Sequence, residues 1–217
     1  MVNTARIVFL LLISIFFGEV SSASISDETI EAAYYESYTL ERSQNYLRAI
    51  EVLYPVLSAF ENGYTINFRV GWLYYLDGKH ADALRYLKKA LAVYPASIEV
   101  MNCISLVYKA RNDWAKVEEQ NYQIIKMDPL NATANYWYVV ALRMHKKYDL
   151  AEKACRKMLT VYPTSVWFLQ ELGEDLYYKK QFRDSREVFT SVKTLDPSND
   201  TAKKYLKLLS AGKQEKN

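Results

Sequence analysis

Residues able to do covalent or metal chemistry are few in this chain, and they are scattered. The two cysteines, Cys103 and Cys155, and the two histidines, His80 and His145, match no metal-ligand spacing. They read as two small apolar thiols and two unrelated imidazoles. Carboxylates do cluster, Glu118 with Glu119 and Glu171 with Glu174 and Asp175, which is the composition of an acid and base pair. On helices, however, such residues read more simply as solvated surface. No HExxH, GxSxG, phosphate-cradling glycine loop or Cys–His pair is present, so the chain is expected to be no enzyme and to need no metal or cofactor. What it has in quantity is flat rings: 19 Tyr, 8 Phe and 4 Trp. Rings that combine apolar area with a polar tip serve recognition. The formal net charge of +3, with no basic stripe, argues against nucleic acid as the thing recognised.

The elements that must position those rings follow from a period. Pro95, Pro129, Pro163 and Pro197 are spaced 34 residues apart, each after an apolar run (ALAVYP, QIIKMDP, KMLTVYP, SVKTLDP). A fixed period of that size marks stacked repeats. The units are 30–63, 64–97, 98–131, 132–165 and 166–199. Each carries two amphipathic helical patterns, as in Ile66, Val70, Leu73 and Tyr74, then Leu84, Leu87, Leu91 and Tyr94 after the break at Asp77 and Gly78. Such short helices bury their faces only against one another, so the units fold as a stack. Residues 24–29 form a polar lead-in, with Ser26 or Asp27 as a first cap. A helix over 200–211, capped at Asp200 and apolar at Tyr205, Leu206, Leu208 and Leu209, would close the far end, and 212–217 would fray.

In this register the chain resembles the tetratricopeptide repeat family, which implies a right-handed all-α solenoid of five helix–turn–helix repeats plus the C-terminal capping helix. The family's small residues where the two helices cross, and its closing proline, are matched by Gly71, Ala83, Ala90 and Pro95 in the second unit. Gly173, Ser185, Val192 and Pro197 match in the fifth. Ser105, Val117, Ile124 and Pro129 in the third unit, and Val139, Ala151, Met158 and Pro163 in the fourth, are bulkier, which predicts wider helix separation there. The first unit keeps Ser37, Ala49 and Val56 but has Glu61 at the proline place and Pro55 within its second helix. An interior proline predicts a kink over residues 51–55, with a helix that stops and restarts at Tyr54 as the rival reading. Cys103 and Cys155, in different helices of successive units, are not expected to meet as a disulfide.

The resemblance also implies a concave face, lined by the first helix of each unit, as the place where a ligand would sit. Carried onto this sequence, the family's contact places select Tyr34 and Tyr38, then Phe68, Trp72 and Tyr75, then Asn102 and Lys109, then Tyr136 and Arg143, and finally Trp167, Tyr177 and Tyr178. Tyr34, Tyr38, Phe68 and Trp72 stand where relatives that clamp acidic chaperone tails carry cations and Asn, so a two-carboxylate ligand lacks its partners. The expected ligand is an extended or helical segment of another protein, with Lys109 and Arg143 orienting an acidic group. The alternative is a glycan or cell-wall polymer stacked on the same rings, with Glu31, Glu41, Glu99 and Glu174 as acceptors.

Residues 1–23 read as an export signal. Arg6 precedes an apolar run over residues 7–17, interrupted only by Ser14, and Ser21 and Ala23 supply small residues before a cleavage point. The run is shorter than the roughly 20 residues that span a bilayer, so cleavage after Ala23 is expected, with an uncleaved anchor as the rival reading. The expectation is therefore an adaptor that is periplasmic or secreted, serving an exported or envelope partner and touching a membrane only through it. Two Asn-x-Thr sequons, at Asn131 and Asn199, stand at equivalent repeat ends and read as turn residues.

Overall fold

The computed structural model describes residues 25–211. The expected export signal and the expected frayed tail lie outside the described residues. Those described fold into twelve helices in sequence order: α1 Asp27–Arg42, α2 Tyr46–Glu51, α3 Tyr54–Ala59, α4 Tyr64–Leu76, α5 His80–Val93, α6 Ile98–Ala110, α7 Trp114–Met127, α8 Ala132–Met144, α9 Tyr148–Leu159, α10 Val166–Tyr178, α11 Phe182–Leu195 and α12 Asp200–Ala211. No described helix is long and apolar enough to cross a membrane. From α3 on each helix packs on the next, as α1 does on α2, and alternate helices α2, α4 and α6, then α8, α10 and α12, also touch. The result is an all-α solenoid with short connections and a succession of buried clusters along the stack.

Starts and stops repeat because their chemistry repeats. The first helices from the second unit on begin after Gly63, Ser97, Asn131, Ser165 and Asn199, 34 residues apart. Ser97 Oγ accepts from Val100 N at 3.1 Å, Asn131 Oδ1 from Ala134 N at 3.0 Å and Asn199 Oδ1 from Ala202 N at 2.9 Å, each satisfying a donor that the first turn leaves orphaned. Asn199, and not Asp200, is therefore the cap of α12. Every first helix ends with a residue in the left-handed region: Gln44, Gly78, Asn112, Lys146 and Lys180, at φ between 57° and 74°. The residue after each reaches back five places, as in Lys79 N to Tyr74 O and Gln181 N to Leu176 O, both 2.9 Å. This is the Schellman stop, and only one of the five positions is glycine.

The two helices of a unit cross where side-chain size is traded. A Cβ on Gly71 would lie 2.8 Å from Leu87, and one on Gly173 would lie 2.8 Å from Phe189. In the third unit Ser105 faces Asn121, whose Nδ2 donates to the serine hydroxyl at 2.6 Å. In the fourth, Val139 and Cys155 share one buried cluster. Bulk on one helix is thus met by a smaller or polar partner on the other.

Pro55 corrects the expected kink. The chain does not bend through it: α2 stops at Glu51, Val52 and Leu53 form a turn, and α3 begins at Tyr54 with Pro55 in its first turn. There the missing N–H is one no helix would use, and the fixed φ suits the position. Leu53 and Val56 stay buried, so the interruption preserves the core contacts of the unit. At the far end, α12 lays Tyr205 on Phe189 with ring centroids 4.8 Å apart. Leu209 is buried beside them, while Leu208 faces solvent.

Candidate functional site: the concave aromatic groove

The first helices of the first three units build an open groove of about 970 Å³. Five of the residues selected from the sequence line it: Tyr34 and Tyr38 from α1, Phe68 and Trp72 from α4, and Asn102 from α6. They converge because each sits one or two turns apart on its helix and the helices stack side by side. Arg69, Arg42, Tyr46 and Leu106 complete the wall.

A polar frame holds the rings in place. Arg69 is buried; its Nη2 and Nε donate to Ser37 Oγ at 2.9 and 3.2 Å, and its Nη1 to Glu41. The guanidinium also lies 3.8 Å from the centre of the Tyr38 ring, a cation–π contact. Glu41 accepts a further bond from Trp72 Nε1 at 2.9 Å. Ser37, Tyr38, Glu41, Arg69 and Trp72 thus form one network joining the first two units. Glu41 and Arg69 are committed to that frame. Asn102 Oδ1 is buried behind the groove surface with no hydrogen-bond partner. Burial raises the Tyr34 hydroxyl above its usual range, with Tyr38 adding to the rise and Arg69 opposing it. Cys103 at the groove floor is pushed up to about 11 by burial first and Glu99 second, so it stays a thiol and no nucleophile. Both cysteines are free and buried.

Tyr75 lies outside the groove lining, against Trp72 at 5.4 Å and His80 at 6.4 Å. A second ring group forms further along. Tyr136 meets Trp137 at 4.9 Å and Trp167 at 5.7 Å, and Lys109 Nζ sits 4.1 Å over Trp137. Trp167 is largely exposed. Burial and nearby Glu171 push the Tyr136 hydroxyl up to about 12. Tyr177 and Tyr178 are engaged at the end of the stack, Tyr177 with Tyr205 at 5.0 Å and Phe182 at 5.6 Å, Tyr178 with Tyr148 at 5.4 Å.

Two sequence expectations are corrected here. Arg143 does not await an acidic ligand: its Nη2 donates to Glu171 at 2.5 Å and its Nη1 to Glu174 at 2.6 Å. Nor are Glu171, Glu174 and Asp175 solvated surface; all three are buried, Asp175 completely. Sequence reasoning also passed over Trp137 and Arg69, and read Ser37 only as a helix-crossing residue. The signal for Arg69 was a cation in an otherwise apolar stretch of α4, which calls for a buried acceptor.

Among the described residues no group of three or more His, Cys, Asp or Glu is placed to hold a metal ion. The sequon residues serve as turns: Asn131 Nδ2 donates to Asp128 and Asn199 Nδ2 to Asp196, each at 3.2 Å.

A model described as "Tetratricopeptide repeat" matches residues 36–98 and 109–166, together more than half of the chain. No curated protein matches the sequence. Solved structures do match in shape. One described as MamA 41-end from Desulfovibrio magneticus RS-1 has a TM-score of 0.71 at 18% identity, covering 80% of this chain and 98% of that one. Another, described as the crystal structure of MamA protein, has a TM-score of 0.69 at 18% identity, covering 79% and 94%. At that identity the likeness speaks for the fold.

Proposed function

Because the chain belongs to the tetratricopeptide repeat family, we propose that it is a non-catalytic adaptor that holds a segment of a partner protein in the groove of its first three repeats. The observation that carries this reading is the convergence of Tyr34, Tyr38, Phe68 and Trp72 on one open groove. Rings supply contact area at low rotamer cost. The frame of Arg69, Glu41 and Ser37 fixes Tyr38 and Trp72 before binding, which lowers the ordering cost. Catalysis has little support, since the buried thiols are held protonated and Arg143 is occupied by its two carboxylates.

The location belongs to the same reading. The signal-like pattern of residues 1–23 supports an exported adaptor whose partner is an envelope or secreted protein. Amino-terminal sequencing of the native protein tests it: a mature chain beginning near Ser24 is expected, and an intact Met1 would contradict export.

To test the groove, the chain is used as bait and its captured partner compared across Tyr38→Ala, Trp72→Ala and Trp167→Ala. Tyr38→Ala and Trp72→Ala should lose the partner while keeping their helical content, because truncating a central ring costs about 2 kcal/mol or more at a hot spot. Retention by both would sink the assignment. Binding of purified glycan with no protein present would favour the sugar-stacking alternative instead.

A further inference from the structure

We propose that the junction of the fourth and fifth repeats is held together by a proton carried on Asp175, so that raising the pH through neutrality loosens α10 to α12 from α8 and α9. Asp175 is fully buried on α10, and neither of its carboxyl oxygens has a hydrogen-bond partner. The groups around it come from every neighbouring helix. From α8 comes Arg143; from α9 come Glu152 and the buried Cys155; from α10 itself come Glu171 and Glu174. Tyr205 of α12 donates to Glu174 at 3.2 Å, and α11 meets α10 through Phe189 against Gly173.

The charges do not balance if every acid is ionised. Arg143 is the cation bonded to Glu171 and Glu174, and its Nε also serves Glu171, at 3.1 Å. Glu152 is answered elsewhere, by Arg156 and Lys179 at 2.7 Å each. Asp175 is left without cation or donor. An ionised carboxylate in that position is shielded from bulk solvent and has no hydrogen bond from the protein to stabilise it, whereas the neutral acid loses far less on burial. The proton is assigned to Asp175, and not to Glu171, because Glu171 has the guanidinium.

The direction of the pH effect follows. Burial is the largest influence and pushes the Asp175 carboxyl up to about 8; Arg143 opposes it, and Glu171, Glu174 and Glu152 reinforce it. In the unfolded chain the same group titrates near about 3.9. Between these values the folded chain holds a proton that the unfolded chain does not, so stability falls as pH rises across that interval and levels off above it. The slope is at most about tenfold in the folding equilibrium per pH unit. Because α8 and α10 carry Tyr136 and Trp167, loosening this joint would also open the second ring group.

The test uses the full chain and two readouts. Hydrogen exchange, corrected for intrinsic rates, is followed in α8 to α12 and in α4 to α6 from about pH 6 to about pH 9. The wild type should lose protection in α8 to α12 as pH rises to about 8, by up to about tenfold per unit, while Asp175→Asn, which cannot ionise, shows a flat profile. Parallel profiles in the two proteins would overturn the proposal. In parallel, the infrared band of a protonated carboxyl is recorded at about pH 6 and titrated upward. A band that disappears near pH 8 is expected. Its absence from the wild type at about pH 6 would overturn the proposal even if the variant failed to fold.

Discussion

Lysine 180 sits in the left-handed region at φ 63°, where glycine stands in the equivalent place of the second unit. A side chain there costs about 1–2 kcal/mol, partly offset by the freedom glycine loses on folding. Lys180→Gly should therefore raise stability by about 0.5–1 kcal/mol in urea unfolding. Gly173→Ala should act oppositely. The new Cβ would stand 2.8 Å from the Phe189 ring, and overpacking of this kind costs about 1–3 kcal/mol. The glycines at the crossings were legible in the sequence because the period of 34 put them in equivalent places, where the family resemblance implies a small residue at the helix crossing. The left-handed stops were not, since Gln44, Lys146 and Lys180 carry no local sign of that conformation. Asp175 was misread for a related reason: a helix surface and an interhelical seam look alike until the neighbouring helix is in place.

Helices in this stack are defined by their ends and by what closes the array. Pro55 shows the first. Inside a continuous helix its removal would relieve roughly 3 kcal/mol, but in the first turn of α3 it blocks nothing. Pro55→Ala is expected to change stability by no more than about 0.5 kcal/mol, as for an ordinary surface position; a gain near 3 kcal/mol would mean the chain strains to pass it. The capping helix shows the second. Tyr205 is buried between Phe189 and Tyr177, so Tyr205→Ala should cost about 3 kcal/mol by urea unfolding. Hydrogen exchange should rise first in α10 to α12, because stability in such arrays is passed between neighbours. Helix existence was readable from the apolar spacing, and the Pro55 break was half readable: proline signalled an interruption, but the choice between bend and restart depended on Leu53 and Val56 keeping their buried places.

Over the whole molecule the solenoid divides its rings by use. Tyr34, Tyr38, Phe68 and Trp72 border the groove, Tyr136 and Trp167 form a second group, and Tyr177 and Tyr178 serve the closed end. The sequence register identified the face but could not separate these uses, because the equivalent position in each repeat meets a different neighbour. Arg143 illustrates this: it holds a place where a ligand contact is expected, yet the next unit supplies Glu171 and Glu174 to receive it. The groove proposed as the binding site is where the first helices of the first three units bring rings to one open surface.

The most direct measurement of that claim is positional cross-linking in the complex with the captured partner. A photoreactive side chain replaces Phe68 in the groove or, separately, Tyr122 on α7, which is exposed and outside the groove lining. The groove reading predicts partner adducts from the Phe68 position and none from Tyr122. Adducts from Tyr122 with none from Phe68, in folded proteins that still bind, would contradict it.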